Sequence, residues 1–406
     1  MRVSPARTAG RAAPPRRPTV VLHPGRDERI QAGHLWVYRN EIARIEGSPE
    51  DGDAVTVRTA ARRALGTGLL NTQSLITVRL LTSGEHTLDE AFFRARLEAA
   101  LSLRSRITAG TTACRLVFGE GDLLPGLIVD RYGQVLVVQT LTLGMDRRKP
   151  LLVRLLGDLL SPRGIFARND PAVRRLEGLP RETGWLAGGG PTEVEIEEGS
   201  LRFVVDVARG QKTGFFLDQR ENRSHVATLA SGAHVLDCFA YTGAWGIHAA
   251  RRGAASVTGV EISADATAQA ERHAAMNGVG DRCRFVGENA FDELRRLASA
   301  RARFDLVILD PPAFVKTRAA LPAGLAGYKE INLRALKVLR PGGWLVTCSC
   351  SYHVDEARLR ETVREAAKDA GRGIRVVESR SQARDHPVHP AMPETRYLKC
   401  LILWVE

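Results

Sequence analysis

The chain has 406 residues, 44% of them hydrophobic and 26% charged, enough for two or three folded domains with ample cores. No run approaches the roughly 18 apolar residues of a membrane span, and the N-terminus has no apolar signal core, so neither a spanning helix nor a secretory signal is expected. The formal net charge of +12 suits a polyanionic partner, of which nucleic acid is the commonest.

Residues 1–19 (MRVSPARTAGRAAPPRRPT) are rich in Arg, Pro and Ala without an acid, and read as a disordered basic tail. From 20 to 83, runs such as VVLHP, HLWVYRNEIARIEG, DAVTVRTA, RALGTGLLN and LITVRLLT alternate apolar and polar positions, with Gly52, Gly66 and Gly68 at turns. That spacing predicts about five or six short strands in a closed or nearly closed barrel. Residues 84–191 read as an α+β domain. It has a helix from about Leu88 to Ile107, strands at Cys114–Phe118, Gly126–Asp130 and Gln134–Leu141, a helix from about Arg148, and a strand at Gly164–Arg168. The stretch from Arg168 to Pro191 looks like a loop, with Gly188-Gly189-Gly190 as a hinge.

Residues 192–406 form the largest unit. EVEIEEGSLRFVVDV makes a hairpin through Gly199, and the polar loop Gly-Gln-Lys-Thr-Gly-Phe-Phe follows it. Asp218 and Glu221 then have the spacing of a capping box at a helix start. Strands at 234–239, 256–261, 283–287, 305–309, 343–349, about 374–379 and 397–405 alternate with helices at 244–251, 264–276, 290–299, about 325–339 and 354–369. This pattern predicts an α/β doubly wound sheet ending in a reversed hairpin. The first βαβ unit runs from His234 to Glu261. Its turn holds only Gly243, with neither G-x-G-x-x-G nor Gly-Lys-Ser/Thr, so it is poorly built to cradle a pyrophosphate. A nucleoside cofactor without phosphates fits better, and S-adenosylmethionine is the obvious one. Asp237 is placed to face its ammonium group and Glu261 the hydroxyls of its ribose.

Asp310-Pro311-Pro312-Ala313-Phe314 follows the fourth strand of this sheet, where such folds bind ligands. Two prolines fix the turn and aim the Asp310 carboxylate into the crevice, with Phe314 available to stack on a base. Thr347-Cys348-Ser349-Cys350-Ser351 ends the fifth strand at the same edge. Carbon 5 of cytosine is a poor nucleophile; a thiolate that adds to carbon 6 makes it enamine-like. Strand alternation puts Cys348 and Cys350 on one face with Cys350 nearer the crevice, so Cys350 is the first choice and Cys348 the second. Asp310 would stabilise the charge that develops on the ring. The six cysteines form no C-x-x-C pair or disulfide framework, so free thiols in a reducing cytoplasm are expected.

Two resemblances extend this reading. H-P-G-R…G-H-L-W-V-Y followed by G-D-x-V-x-V (residues 20–83) resembles a PUA domain, a small RNA-binding module; by that resemblance Arg26, His34, Trp36 and Arg39 are exposed candidates for RNA contact. The motifs G-Q-K-T-G-F-F-L-D-Q-R (210–220), D-C-F-A-Y-T-G (237–243), D-P-P-A-F (310–314), C-S-C-S (348–351) and the late D-H-P-V…Y-L-K (385–388 and 397–399) resemble the PUA-containing 23S ribosomal RNA cytosine-C5 methyltransferases, which have a class I methyltransferase fold. The resemblance implies that the cofactor touches Thr213, Phe215, Asp237, Tyr241, Gly243, Glu261, Asn289, Ala290 and Asp310, with Asn289 and Ala290 by the adenine. It implies Cys350 as nucleophile, large-subunit ribosomal RNA as partner, and a plausible homodimer. The family often has Lys where this chain has Ala313, and C-S-C-S is followed here by Tyr352-His353. Two other readings stay open: a methyltransferase acting on guanine or an exocyclic amine, which needs no cysteine, and a non-catalytic RNA-binding assembly factor.

Overall fold

The protein is described by a computed structural model over residues 17–406. Most of the expected basic tail lies outside the described residues, and Thr19 already opens the first strand.

The first sheet is built from β1 (Thr19–Leu22), β2 (Trp36–Tyr38), β3 (Ile42–Glu46), β4 (Ala54–Arg58), β5 (Ala64–Leu70) and β6 (Ile76–Ser83), with one turn of helix, α1 (Glu28–Gln31), between β1 and β2. Its order is β2-β6-β5-β4-β1-β3. The alternating run from His34 to Gly47 is split by a 3-10 turn at Arg39–Glu41. Glu41 causes the split: its carboxylate accepts the Tyr38 N–H at 2.7 Å and the Arg29 guanidinium at 2.9 Å, which turns the chain through a corner. The pieces on either side become the two ends of the sheet, β2 and β3, which do not pair; the barrel stays open. Val20, Leu22, Val37, Val55, Val57 and Val78 fill its core.

The central unit has α2 (Glu90–Ile107), β7 (Ala113–Phe118), β8 (Leu127–Tyr132), β9 (Val135–Thr140), α3 (Leu143–Arg147), α4 (Lys149–Leu160), β10 (Gly164–Asn169) and β11 (Glu182–Gly188) in a sheet ordered β11-β10-β9-β8-β7. Helix α2 starts where Asp89 accepts the Phe92 N–H, an N-cap. Its Phe93 and Leu97 pack with Leu152 and Leu155 of α4 on one sheet face. The segment expected to be a loop contains β11. Glycines at 184 and 188–190 hide its alternation, but it pairs antiparallel with β10 and sets Trp185 edge-on against Phe166 at 5.1 Å. A hairpin follows, β12 (Glu193–Glu198) and β13 (Leu201–Asp206), turning at Gly199 as the sequence predicts.

The C-terminal unit runs α5 (Arg220–Val226), β14 (His234–Cys238), α6 (Ala244–Arg251), β15 (Ser256–Val260), α7 (Ala264–Met276), β16 (Cys283–Val286), α8 (Ala290–Ser299), β17 (Phe304–Leu309), α9 (Leu321–Val338), β18 (Leu339–Ser349), α10 (Glu356–Ala370), β19 (Ile374–Arg380) and β20 (Lys399–Val405). Its sheet is ordered β16-β15-β14-β17-β18-β20-β19, and β20 runs antiparallel to both neighbours. The chain leaves β14 to one side for β15 and β16, then crosses back to β17. This reversal opens a crevice beyond the carboxyl ends of β14 and β17. The strands are apolar on both faces because α6 and α7 cover one side and α8, α9 and α10 the other. No helix among the described residues is long and apolar enough to cross a membrane.

The three units are stitched together through the segment between β19 and β20. The Leu35 N–H reaches the Met392 sulfur at 3.3 Å, and His34 lies 3.6 Å from Glu394. Asp385 accepts from the Arg115 N–H (3.0 Å) and the Arg220 guanidinium (2.8 Å), while Arg104 donates to its carbonyl (2.8 Å). This role accounts for the late Asp-His-Pro-Val motif: it is a joint between units.

The joint corrects the expectation for the first sheet. His34 is buried, bonded to Arg29 and facing Glu394, and Trp36 is half-buried with its indole N–H on Glu120 at 2.8 Å. Both dock the first sheet onto the other units. Arg39 is exposed, but its guanidinium holds the Thr72 carbonyl at 2.6 Å. Arg26 is exposed with no side-chain partner among the described residues.

Candidate active site

A cavity of about 210 Å³ opens at the crevice, where doubly wound sheets bind their ligands. Four stretches wall it: Gln211 to Arg223, Phe239 to Trp245, Glu261-Ile262, and Asp310 to Pro312; Cys350 and Leu398 close it.

The turn after β14 is unusually tight. Phe239 (φ 65°), Tyr241 (φ 48°) and Gly243 (φ 81°) all occupy the left-handed region, which L side chains rarely adopt. Two ties hold it: the Tyr241 N–H donates to Glu261 Oε2 at 2.9 Å, and its hydroxyl accepts the Gln211 N–H at 2.9 Å. Gly243 is not on the cavity wall. Its place is steric, since a Cβ there would sit 2.7 Å from Phe285 Cζ and 2.9 Å from Ala270 Cβ. Gly243→Ala is expected to cost about 1–3 kcal/mol through strain and overpacking. It should also weaken cofactor binding, because α6 carries the wall residues Ala244 and Trp245. Calorimetric titration and thermal melting check this; an unchanged affinity and melting midpoint would sink it.

Asp237 lies beneath the same helix, fully buried. One oxygen accepts the Gly246 N–H at 3.0 Å and the other has no partner. Burial, then the nearby Asp310 and Glu261 charges, push its carboxyl up to about 8. Like Gly243, Asp237 is not on the cavity wall, although the sequence places it facing the ammonium group of the cofactor. Glu261, on the wall, caps the turn with one oxygen and accepts the Ser263 N–H at 3.0 Å with the other.

The Gly-Gln-Lys-Thr-Gly loop corrects two expectations. Thr213 does not line the cavity; its buried hydroxyl donates to Asp130 (2.6 Å) and meets the Tyr132 hydroxyl (2.8 Å), fastening the loop to β8 of the central unit. Asp218 does not cap α5. Its Oδ2 receives the Lys212 ammonium and the Tyr397 hydroxyl, both at 2.6 Å. Burial alone would push that carboxyl up, but Lys212 and His386 together hold it well below the carboxylate range. Phe215 and Phe216 line the cavity, the first under Arg223 (4.9 Å) and the second under Lys212 (4.4 Å).

Asp310 reaches the cavity as expected. Its two oxygens accept from Gln219 Nε2 and Trp245 Nε1, each at 3.0 Å, and burial raises its carboxyl above the ordinary value. Gln219 and Trp245 were not singled out in the sequence; only contact across three elements reveals them. Phe314 instead packs into an aromatic cluster with Tyr328 (4.7 Å), Phe291 (5.7 Å) and Phe239 (6.3 Å), so it is not free to stack on a base. Asn289 is the N-cap of α8, accepting the Phe291 N–H, and Ala290 is in the core; neither lines the cavity.

The two cysteines separate cleanly. Cys348 is within β18, fully buried, with its sulfur on Cys400 of β20; that contact and burial push its thiol far up. Cys350 lies just past the strand end and faces the cavity. Burial raises its thiol too, opposed chiefly by Lys212. Lys399 Nζ donates to the Ser351 and Tyr397 carbonyls, both at 2.8 Å, and so fixes the backbone beside Cys350.

A doubly wound sheet with a reversed penultimate strand, a strained turn after its first strand, an acid after its second and Asp-Pro-Pro after its fourth defines a class I S-adenosylmethionine-dependent methyltransferase. The family model of S-adenosylmethionine-dependent methyltransferases matches residues 172–401, and that of the PUA-like domain matches 20–83. The chain is 39% identical to "Ribosomal RNA large subunit methyltransferase I" of Alteromonas mediterranea, over 94% of this chain and 98% of that one. It is equally similar to the protein of that name from Aeromonas salmonicida, over 95% and 98%. By these matches the chain belongs to the ribosomal RNA large subunit methyltransferase I family. In fold it is similar to a candidate methyltransferase from Streptococcus mutans (TM-score 0.81, 20% identity, covering 95% of this chain and 99% of that one). It is also similar to a candidate methyltransferase complexed with S-adenosylhomocysteine (TM-score 0.83, 19% identity, 95% and 99%).

Proposed function

We propose that the protein transfers a methyl group to carbon 5 of a cytosine in large-subunit ribosomal RNA, with Cys350 as nucleophile. The substrate class rests on the names of the relatives. The carbon 5 assignment rests on one observation: of the two strand-end cysteines, Cys350 alone shares the cavity wall with Asp310. An exocyclic amine would need no thiol there.

The residues present fit S-adenosylmethionine. Glu261 offers a carboxylate to its ribose, and Tyr241, Phe215 and Phe216 offer aromatic surface; the unpartnered oxygen of Asp237 lies buried off the wall. When bound, it supplies an electrophilic methyl. The chain's own residues prepare the base. Cys350 Sγ bonds to carbon 6, and the carbon 5–carbon 6 π electrons shift to make carbon 5 nucleophilic. Asp310, held by Gln219 and Trp245 and raised by burial, hydrogen-bonds the ring nitrogen as negative charge develops there. After methylation, loss of the carbon 5 proton re-forms the double bond and expels the Cys350 thiolate. The target base enters from an unpaired or flipped-out position. The exposed Arg26 and Arg39 of the PUA-like unit contact RNA phosphates, and the domain limits fall at 83/84 and 191/192 in this reading.

Labelled S-adenosylmethionine with unmodified large-subunit RNA or particles tests the reading by nucleoside analysis. Label in 5-methylcytosine is the expected result. Label in a methylated guanine or exocyclic amine overturns the carbon 5 assignment, and no label in any RNA or particle despite cofactor binding overturns the substrate class.

A further inference from the structure

Cys350 works as a nucleophile only as a thiolate, yet its surroundings are built mainly against one. Burial comes first, and the carboxylates of Asp310, beyond β17, and Asp218, in the segment before α5, act in the same direction. Tyr397, before β20, and Tyr328, on α9, are the nearby hydroxyls whose own ionisation the Cys350 charge opposes, and they carry no positive charge. Two cations oppose them, Lys212 and Lys399. Lys399 is spent on the Ser351 and Tyr397 carbonyls and is off the cavity wall. The other cation on the wall, Arg223, has its guanidinium bidentate on Glu198 (2.9 and 2.6 Å) and a third donor on the Phe216 carbonyl (2.9 Å).

Lys212 is paired too, with Asp218, but of the two cations acting on Cys350 it is the one on the cavity wall. It lines the cavity with Cys350, and its backbone is held in the left-handed region (φ 54°), a conformation that costs a non-glycine residue about 1 kcal/mol or more. The neighbouring residue anchors that conformation: Thr213 is bolted to Asp130 and Tyr132 of the central unit. Its ammonium is then fixed between the Phe216 ring and Asp218, and the Tyr397 hydroxyl shares the Asp218 oxygen that it contacts.

We propose that Lys212 is the counter-cation that lets Cys350 ionise, a positioning residue set from outside the methyltransferase sheet by the Thr213–Asp130–Tyr132 anchor. This rests on Cys350 being the nucleophile. Lys212 acts through its charge and exchanges no proton; the thiol proton leaves to water, and the thiolate pair stays on sulfur until it bonds to carbon 6. The strained loop is therefore an electrostatic device in which the central unit takes part.

The test is the pH dependence of alkylation of Cys350 by iodoacetamide in the full-length, cofactor-free protein, followed by peptide mass spectrometry. Lys212→Met and Lys212→Gln are compared with wild type and Lys212→Arg; glutamine keeps an N–H for Asp218 and so serves where methionine does not fold. Both neutral variants should shift the profile to higher pH and slow alkylation at pH 7 by about tenfold, the effect of one lost opposite charge. Lys212→Arg should stay near wild type. A neutral variant that folds and keeps the wild-type profile overturns the inference. The readout does not use methyl transfer, so a wild-type enzyme that labels another nucleoside would remove the carbon 5 reading while the alkylation profile still decided the role of Lys212.

Discussion

Cys350→Ala is expected to abolish 5-methylcytosine formation, with a loss of about a thousandfold or more, since the alternative is methylation of an unactivated carbon 5. Affinity for S-adenosylmethionine should change little, because alanine removes only the thiol from a wall otherwise made by other elements. Cys348→Ala should behave in the opposite way. Its sulfur is fully buried against Cys400, so truncation costs stability, on the order of 1–2 kcal/mol, and leaves the chemistry standing. RNA carrying 5-fluorocytosine separates the two independently: fluorine at carbon 5 blocks the final proton loss, so wild type and Cys348→Ala should form a lasting covalent complex and Cys350→Ala none. A stable complex with Cys350→Ala would transfer the nucleophile's role elsewhere.

The largest effect on stability is expected at Glu198, far from the reacting atoms. Glu198 ends β12 and is buried; its two oxygens take the Arg223 guanidinium of α5 at 2.9 and 2.6 Å, and one also meets His248 of α6 at 2.9 Å. Arg223 is buried as well, so Glu198→Ala strands a charge in the interior, a change that costs roughly 3–5 kcal/mol. The same guanidinium holds the Phe216 carbonyl and covers the Phe215 ring, so cofactor affinity should fall with stability. Burial would raise the Glu198 carboxyl, but Arg223 and His248 outweigh it and bring it from its ordinary 4.5 to about 2. The sign follows: the unfolded chain binds the proton more readily. The contribution of this carboxylate, on the order of 3 kcal/mol, is therefore complete above about pH 4.5 and disappears as pH falls towards 2. Urea unfolding of wild type and Glu198→Gln across that window should show their difference shrinking as the solution becomes more acidic; a difference that stays constant with pH would refute the assignment.

The sequence by itself determined the order of strands and helices from His234 to the end, because parallel strands buried on both faces are continuously apolar and their helices carry a different period. It also determined the chemistry on offer: a nucleoside-type cofactor turn, Asp310 before two prolines, and a cysteine at a strand end. These signals are local, carried by neighbours along the chain. Between Cys348 and Cys350 it offered an order of preference; strand pairing buries the first against β20 and leaves the second on the cavity wall, because β20 stops short of it. Tertiary structure alone decided what Thr213, His34, Trp36 and Phe314 do, since each has partners distant in the chain or on another element: Asp130, Glu394, Glu120 and Tyr328. An exposed-looking polar or aromatic residue in a motif reads the same whether it meets a ligand or a neighbouring unit. The same limit hid β11, where glycines blur the alternation and hydrogen bonds to β10 make the strand. It also hid the donors on Asp310, Gln219 and Trp245, which converge from α6 and the turn before α5. Convergence of this kind is a property of the folded chain, and no spacing along the sequence encodes it.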